Sequence, residues 1–113
     1  MVYDKMNEYI ESIFTVFRMV NSKADYQKDK KMKVISLVIY NYVLKMSKDY
    51  NVDLKSISQK DNINLIPFFE YISYNNIELY DFNKIKLEDV DTSKNTDLER
   101  FVLTHIYYIT QNK

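Results

Sequence analysis

The residues whose types and spacing come closest to a chemical site lie between Leu87 and Phe101, in the stretch LEDVDTSKNTDLERF. Oxygen-bearing residues recur there at alternate positions, namely Asp89, Asp91, Ser93, Asn95 and Asp97. Oxygen ligands at alternate positions of a short loop are what a bound calcium ion requires. This stretch is therefore the first candidate metal site in the chain.

Counted from Asp89, the stretch resembles the calcium loop of an EF-hand up to the ninth position of that motif. Where the motif needs glycine and a final bidentate glutamate, this chain has Lys94 and Arg100. Lysine does not readily adopt a left-handed backbone, and arginine places a cation where the strongest ligand belongs. We therefore expect no metal site here. The pattern predicts a polar loop that ends at a helix, with Thr96 as its N-cap and Glu99 completing a capping box.

Residues for other kinds of catalysis are scarce. The chain has no cysteine and a single histidine, His105, which argues against a zinc site. It also has no glycine, which excludes the usual phosphate-binding loop, the dinucleotide fingerprint and the nucleophile elbow. His105 falls on the apolar face of the last predicted helix, with no nucleophile and acid spaced around it. The sequence predicts a protein that is not an enzyme and that needs no metal or cofactor.

A basic run lies at the start of the second predicted helix, with lysines at Lys23, Lys28, Lys30, Lys31 and Lys33. Lysines can bind phosphates, but base readout favours arginine, and the chain has two arginines. The formal net charge is zero, with +4 on residues 1–60 and −4 on residues 61–113. This balance favours a solvated helix start. A nucleic-acid surface on these lysines is kept as the alternative.

Tyrosine is unusually abundant, with eleven residues and no tryptophan. Tyrosine is enriched at protein interfaces, where it provides contact area at a small entropy loss. The competing explanation is codon bias, because Lys, Asn, Ile and Tyr, all abundant here, have AT-rich codons. The best candidates for a protein interface are Tyr71, Tyr74, Tyr107 and Tyr108.

Two long helices must position most of these residues. Apolar residues spaced alternately by four and three predict one helix over residues 3–21 and a second from about Ser22 to Tyr50. The stripes are Met6, Ile10, Ile13, Phe17 and Val20, then Met32, Ile35, Ile39, Tyr42 and Met46. Further apolar residues around the second helix, at Val34, Val38 and Val43, predict a central position for it in the bundle.

Shorter elements follow. Asp53 is predicted to cap a short helix, with Val52 and Ile57 as its hydrophobic staple. LIPFFEYISYNN is predicted to form a helix capped by Asn64, with Pro67 in its first turn and a stop at Asn75-Asn76. Residues 77–91 fit neither period, so a small hairpin and short helical turns both remain open.

The predicted fold is a single all-α domain over residues 1–113, a compact four- or five-helix bundle with a small β element near residues 77–90 as an option. The longest apolar run, at residues 34–44, is too short to span a membrane, and the start does not resemble a signal peptide. We expect a soluble, cytoplasmic protein.

The functional expectation is a non-enzymatic regulator, inhibitor or immunity-type factor that occludes one protein partner. The abundance of amino acids with AT-rich codons indicates an AT-rich genome, that of a bacterium, its phages or plasmids, or a large virus, and we favour a phage, a virus or a mobile element as the source. The alternatives are a small nucleic-acid-associated protein and a structural subunit that forms homo-oligomers through its helical stripes.

Overall fold

The structure, a computed structural model, describes residues 5–21, 28–56 and 64–111. These residues form four α-helices and two short 3₁₀ turns, with no β-strand among them. The helices are α1 (Met6–Asn21), α2 (Lys30–Asp49), α3 (Ile66–Tyr74) and α4 (Asn95–Gln111), and the turns are Leu54–Ser56 and Leu87–Asp89. The predicted all-α bundle is confirmed.

Helix α1 is the centre of the bundle, because it packs against α2, α3 and α4, while α2 packs mainly against α1 and α4. Tyr9, Ile10, Ile13 and Val16 of α1 are almost completely buried. The central position predicted for α2 is therefore wrong. The buried residues of α2 lie on one side, so its remaining apolar residues need another explanation.

The helix ends follow the expected chemistry in most places. The Asp29 carboxylate accepts hydrogen bonds from the backbone N–H groups of Lys31 and Met32 and so caps α2. Asp53 caps the first 3₁₀ turn by accepting from the Lys55 N–H at 3.0 Å. The predicted start of the second helix at about Ser22 and the staple residue Ile57 lie outside the described residues.

Asparagine replaces glycine where the backbone turns left-handed. Asn51 and Asn76 have φ angles of 55° and 52° and follow α2 and α3. Asn64 Oδ1 accepts from the Ile66 N–H at 3.2 Å, one residue before the N-cap position Leu65. Pro67 lies in the first turn of α3, as predicted.

The connection between α3 and α4 forms turns and a 3₁₀ helix, so the small β element predicted near residues 77–90 is absent from this described stretch. Its backbone is fastened to α4. The Tyr80 N–H donates to Thr104 Oγ1 at 3.0 Å, and the Arg100 Nε–H donates to the Glu78 carbonyl at 2.7 Å. These bonds replace the strand pairing that a hairpin would need.

The start of α4 differs from the predicted capping box. The helix begins at Asn95, and the Lys94 carbonyl accepts from the Leu98 N–H, so Thr96 lies within the first turn. The Glu99 carboxylate points elsewhere, to tyrosine hydroxyls on α2 and α3. A buried pair of hydroxyl donors outcompetes one exposed backbone N–H for this carboxylate.

None of the helices in the described part of the chain is both long enough and apolar enough to cross a membrane.

Candidate functional site

A straight row of six exposed residues, three of them apolar, runs along the side of α2 that faces away from the core. Its members are spaced by four, three, four, three and four residues, and all are exposed: Lys30, Val34, Leu37, Asn41, Leu44 and Lys48. Val34 is 50% exposed and Leu37 is 58% exposed. We call this set the outer row. Its spacing repeats every seven residues, as in helices that pack side by side.

The buried residues of α2 lie on the opposite side of the same helix. They are Ile35, Ile39, Tyr42, Val43 and Ser47. Since an α-helix advances about 100° per residue, these residues and the outer row occupy different faces. Helix α2 is therefore apolar on both sides, and its neighbours cover one of them.

The lysines proposed for nucleic acid lie at the beginning of this helix. Lys28, Lys30, Lys31 and Lys33 are all exposed, and Lys23 lies outside the described residues. Lys30 is the first member of the outer row. These side chains therefore supply positive charge at one end of the row, and Lys45 and Lys48 supply it at the other.

Tyr71 is largely buried, and whether it contributes to a protein interface stays a prediction. It is 8% exposed, and its ring stacks on that of Tyr9 with 3.8 Å between the centroids. The periodicity of α3 does not distinguish its inner from its outer tyrosines, because the helix is apolar nearly all round.

The other three tyrosine candidates are exposed, and the described contacts do not bring them into one cluster. The Tyr107 ring meets Phe69 of α3 edge-on at 6.1 Å, whereas Tyr108 stacks on Phe82 at 3.6 Å. Tyr74 is exposed near the end of α3. Whether these tyrosines bind a partner stays a prediction.

A largely buried hydrogen-bonded cluster joins α1, α2, α3 and α4. The hydroxyls of Tyr42 and Tyr71 both donate to Glu99 Oε2, at 2.7 and 2.8 Å. Tyr42 is itself 2.7 Å from the Tyr9 hydroxyl, which donates to it because the Tyr42 proton is committed to Glu99. Four side chains from four helices are thereby fixed relative to one another.

Burial changes the acidity of these hydroxyls. The pKa of Tyr42 is raised well above its ordinary value, first by desolvation and then by its interactions with Tyr9 and with the Glu99 carboxylate. Desolvation and the Glu99 carboxylate also raise the pKa of Tyr71. Both hydroxyls therefore remain protonated donors far into the alkaline range.

A cleft of about 420 Å³ opens beside this cluster. Glu99 and the rings of Tyr42 and Tyr71 line it, and the Lys45 ammonium, which donates to the Asn95 side chain, lies at its edge. The side chains of Tyr42, Tyr71, Glu99, Lys45 and Asn95 in its lining are already hydrogen-bonded to one another. We interpret the cleft as a gap between helices that the hydrogen-bonded cluster keeps open.

His105 is a core residue. It is 4% exposed, and its Nδ1–H donates to the Phe101 carbonyl at 2.9 Å, since a carbonyl oxygen only accepts. Burial lowers the pKa of the imidazole, and the Phe101 carbonyl opposes this shift more weakly. The ring of Phe82 contacts it edge-on at 5.1 Å.

In the stretch that resembles a calcium loop, Asp91 bonds within its own turn. Its carboxylate accepts from the Ser93 N–H at 3.1 Å. Among the described residues, no three His, Cys, Asp or Glu side chains gather closely enough to hold a metal ion.

Sequence reasoning missed the outer row and the tyrosine–glutamate cluster for different reasons. The row has a sequence signal, because the apolar spacing of α2 fits two stripes at once. The cluster has none, since Tyr42 and Glu99 are 57 positions apart and Glu99 also fits a capping box.

Comparison with family models, with curated proteins and with solved structures finds no significant match to this chain.

Proposed function

We propose that this protein is a non-enzymatic regulator or inhibitor, of the immunity-factor type, that binds one protein partner and acts by covering part of that partner's surface. The observation that carries the proposal is the outer row of α2. It presents Val34, Leu37 and Leu44 to solvent in line, next to the exposed ring of Tyr40. Contiguous exposed apolar surface with a polar rim is typical of protein interaction sites.

The internal packing supports the same proposal. Phe17 of α1 stacks on Tyr40 at 5.5 Å, which extends the apolar surface of the row toward the neighbouring helix. The tyrosine–glutamate cluster ties α2 to the other helices, so the row is displayed on a rigid support. A preorganised surface of this kind loses little conformational entropy on binding.

Photo-crosslinking in the cells that naturally produce the protein tests the proposal. Leu37 is replaced by a photoreactive phenylalanine, and the same replacement at the exposed residue Glu88 serves as the control. We expect one protein to be captured at position 37 and not at position 88. The purified partner should then bind the wild-type chain at least tenfold more tightly than Leu37→Asp.

Other outcomes would overturn the proposal. Crosslinks from position 37 to a second copy of the chain would favour the structural-subunit alternative. Salt-sensitive binding to DNA or RNA, lost on replacing Lys30, Lys31 and Lys33 by glutamate, would favour the nucleic-acid alternative. A partner that binds Leu37→Asp as well as it binds the wild type would exclude the outer row.

A further inference from the structure

We infer that the outer row receives an α-helix of the partner, one that carries apolar residues at heptad spacing and acidic residues beside them. This inference rests on the proposed function and names the chemistry of the partner. Three features of α2 support it, namely the spacing of the row, the residue types within it and the charges around it.

The spacing of the row fits a second helix better than it fits a loop or a sheet. From Val34 onward the steps are three, four, three and four residues. Helices that pack side by side bring such a row into continuous contact. The row from Lys30 to Lys48 is about 27 Å long, at 1.5 Å per residue, so it can contact a partner helix over several turns.

The residue types match those of paired helices. Val34 is β-branched and begins a heptad, and Leu37 and Leu44 occupy the other apolar position of the repeat. This combination is preferred where two helices pair. Asn41 occupies the middle of the row and is exposed. A single polar residue there fixes register, so the partner should offer a hydrogen-bonding side chain opposite Asn41.

The charges around the row indicate which residues should lie beside the apolar positions of the partner helix. Helix α2 contains five lysines and one acid, Asp49. Lys30 and Lys48 end the row, and the exposed Lys33 and Lys45 stand beside it. A partner helix with glutamate or aspartate at its flanking positions would complement this field.

The same charges argue against a second copy of this chain as the occupant. The row begins and ends with lysine, so parallel and antiparallel pairing both bring lysine toward lysine. Like charges placed opposite each other disfavour a complex. A different chain with acidic flanks therefore fits the row better than α2 itself.

Two synthetic helical peptides test the inference. Each has three heptads, about 21 residues, with leucine at both apolar positions and one central asparagine. One peptide has glutamate at the flanking positions, and the other has lysine. Titration of the intact protein, followed by fluorescence anisotropy of the labelled peptide, measures each dissociation constant. At low salt we expect the acidic peptide to bind at least about tenfold more tightly than the basic one. Added salt should reduce the difference between the two dissociation constants.

Matched variants test whether the charges of α2 cause the preference for the acidic peptide. Lys30→Glu combined with Lys48→Glu leaves α2 with three lysines and three acids and should therefore remove the preference for the acidic peptide. Lys84→Glu combined with Lys86→Glu changes the net charge equally at exposed sites outside α2 and should leave the preference intact. Leu37→Asp should abolish binding of the acidic peptide.

Equal binding of the two peptides, or binding of neither, would overturn the inference. Dimerisation of the free protein, lost in Leu37→Asp, would overturn it in favour of a second copy. These results are distinct from failure of the proposed function, which depends on a natural partner captured at position 37. If the captured partner lacks an acidic helix, the proposed function would stand and the inference about the partner's chemistry would be wrong.

Discussion

At the scale of single residues, Glu99 is the residue that links α4 to tyrosine hydroxyls of α2 and α3. Its carboxylate holds the hydroxyls of Tyr42 and Tyr71, and through Tyr42 it is linked to Tyr9 in the centre of the core. Hydrogen bonds to a charged acceptor are stronger than those between neutral groups. The cluster therefore fixes the relative positions of helices that the apolar core alone would hold less specifically.

Glu99→Ala should lower the free energy of unfolding by about 2 to 6 kcal/mol, because two hydroxyl donors lose their acceptor and each orphaned buried donor costs about 1 to 3 kcal/mol. Tyr71→Phe removes one donor together with its bond and should cost about 1 kcal/mol. Urea denaturation measures both values. The control is Glu88→Ala at an exposed position, which should change little. Equal effects of Glu88→Ala and Glu99→Ala would contradict the structural role of the cluster.

His105 should make the folded state less stable in mild acid. Its pKa is lowered in the folded protein, mainly by burial, so below about pH 6.5 the unfolded chain binds a proton that the folded chain refuses. The contribution of neutral His105 to stability is fully present above the pKa of this residue in the unfolded chain. It is lost as the pH falls toward the lower pKa of the folded state. For one proton the slope does not exceed about 1.4 kcal/mol per pH unit. The sign is the reverse of that for a histidine stabilised by a carboxylate.

Urea denaturation of the wild type and His105→Gln between pH 7.5 and pH 5 would measure this contribution. The variant should be less stable at neutral pH and should lose less stability on acidification. Parallel pH profiles for the two proteins would show that the acid sensitivity arises elsewhere.

At the scale of elements, a chain without glycine must end its helices by other means. Asn76 has a φ of 52° after α3, and its N–H donates to the Ser73 carbonyl at 3.2 Å. Asparagine tolerates this left-handed backbone better than other residues with a side chain, yet it is less free there than glycine.

Asn76→Ala should therefore lower the free energy of unfolding by about 1 kcal/mol, and Asn76→Gly should leave it the same or raise it slightly. Asn83→Gly is the matched control, because the Asn83 backbone is not left-handed. Glycine at that position should destabilise by about 0.5 to 1 kcal/mol. Thermal unfolding followed by circular dichroism ranks the variants, and a gain at Asn83 equal to that at Asn76 would refute the argument.

Secondary-structure elements were also the features that the sequence predicted best. The stripes of α1 and α2, the cap at Asp53 and the stop at Asn75-Asn76 depend on neighbours within one or two turns, so local spacing determines them. The start of α4 was predicted wrongly, because a capping box and a buried carboxylate use the same residue, Glu99. That competition is decided by Tyr42 and Tyr71, which are distant in sequence.

At the scale of the whole molecule, the central question is which apolar faces the fold covers. The sequence predicts that α2 is apolar on several sides, and a central position was the simplest explanation. The structure gives that position to α1 and leaves the outer row of α2 in solvent. Sequence periodicity identifies an apolar face but does not say whether the same chain or another one covers it.

The outer row should therefore contribute to binding and contribute little to folding. Leu37→Ala should change the free energy of unfolding by less than about 0.5 kcal/mol, as is usual for surface substitutions. Ile39→Ala, two residues away on the buried side of α2, should cost about 2 to 5 kcal/mol because it leaves a cavity in the core. Urea denaturation of the isolated protein distinguishes the two faces. A loss of 2 kcal/mol or more at Leu37, of about the size that a cavity produces, would mean that the folded chain covers its own outer row, and α2 would then have no free face for a partner.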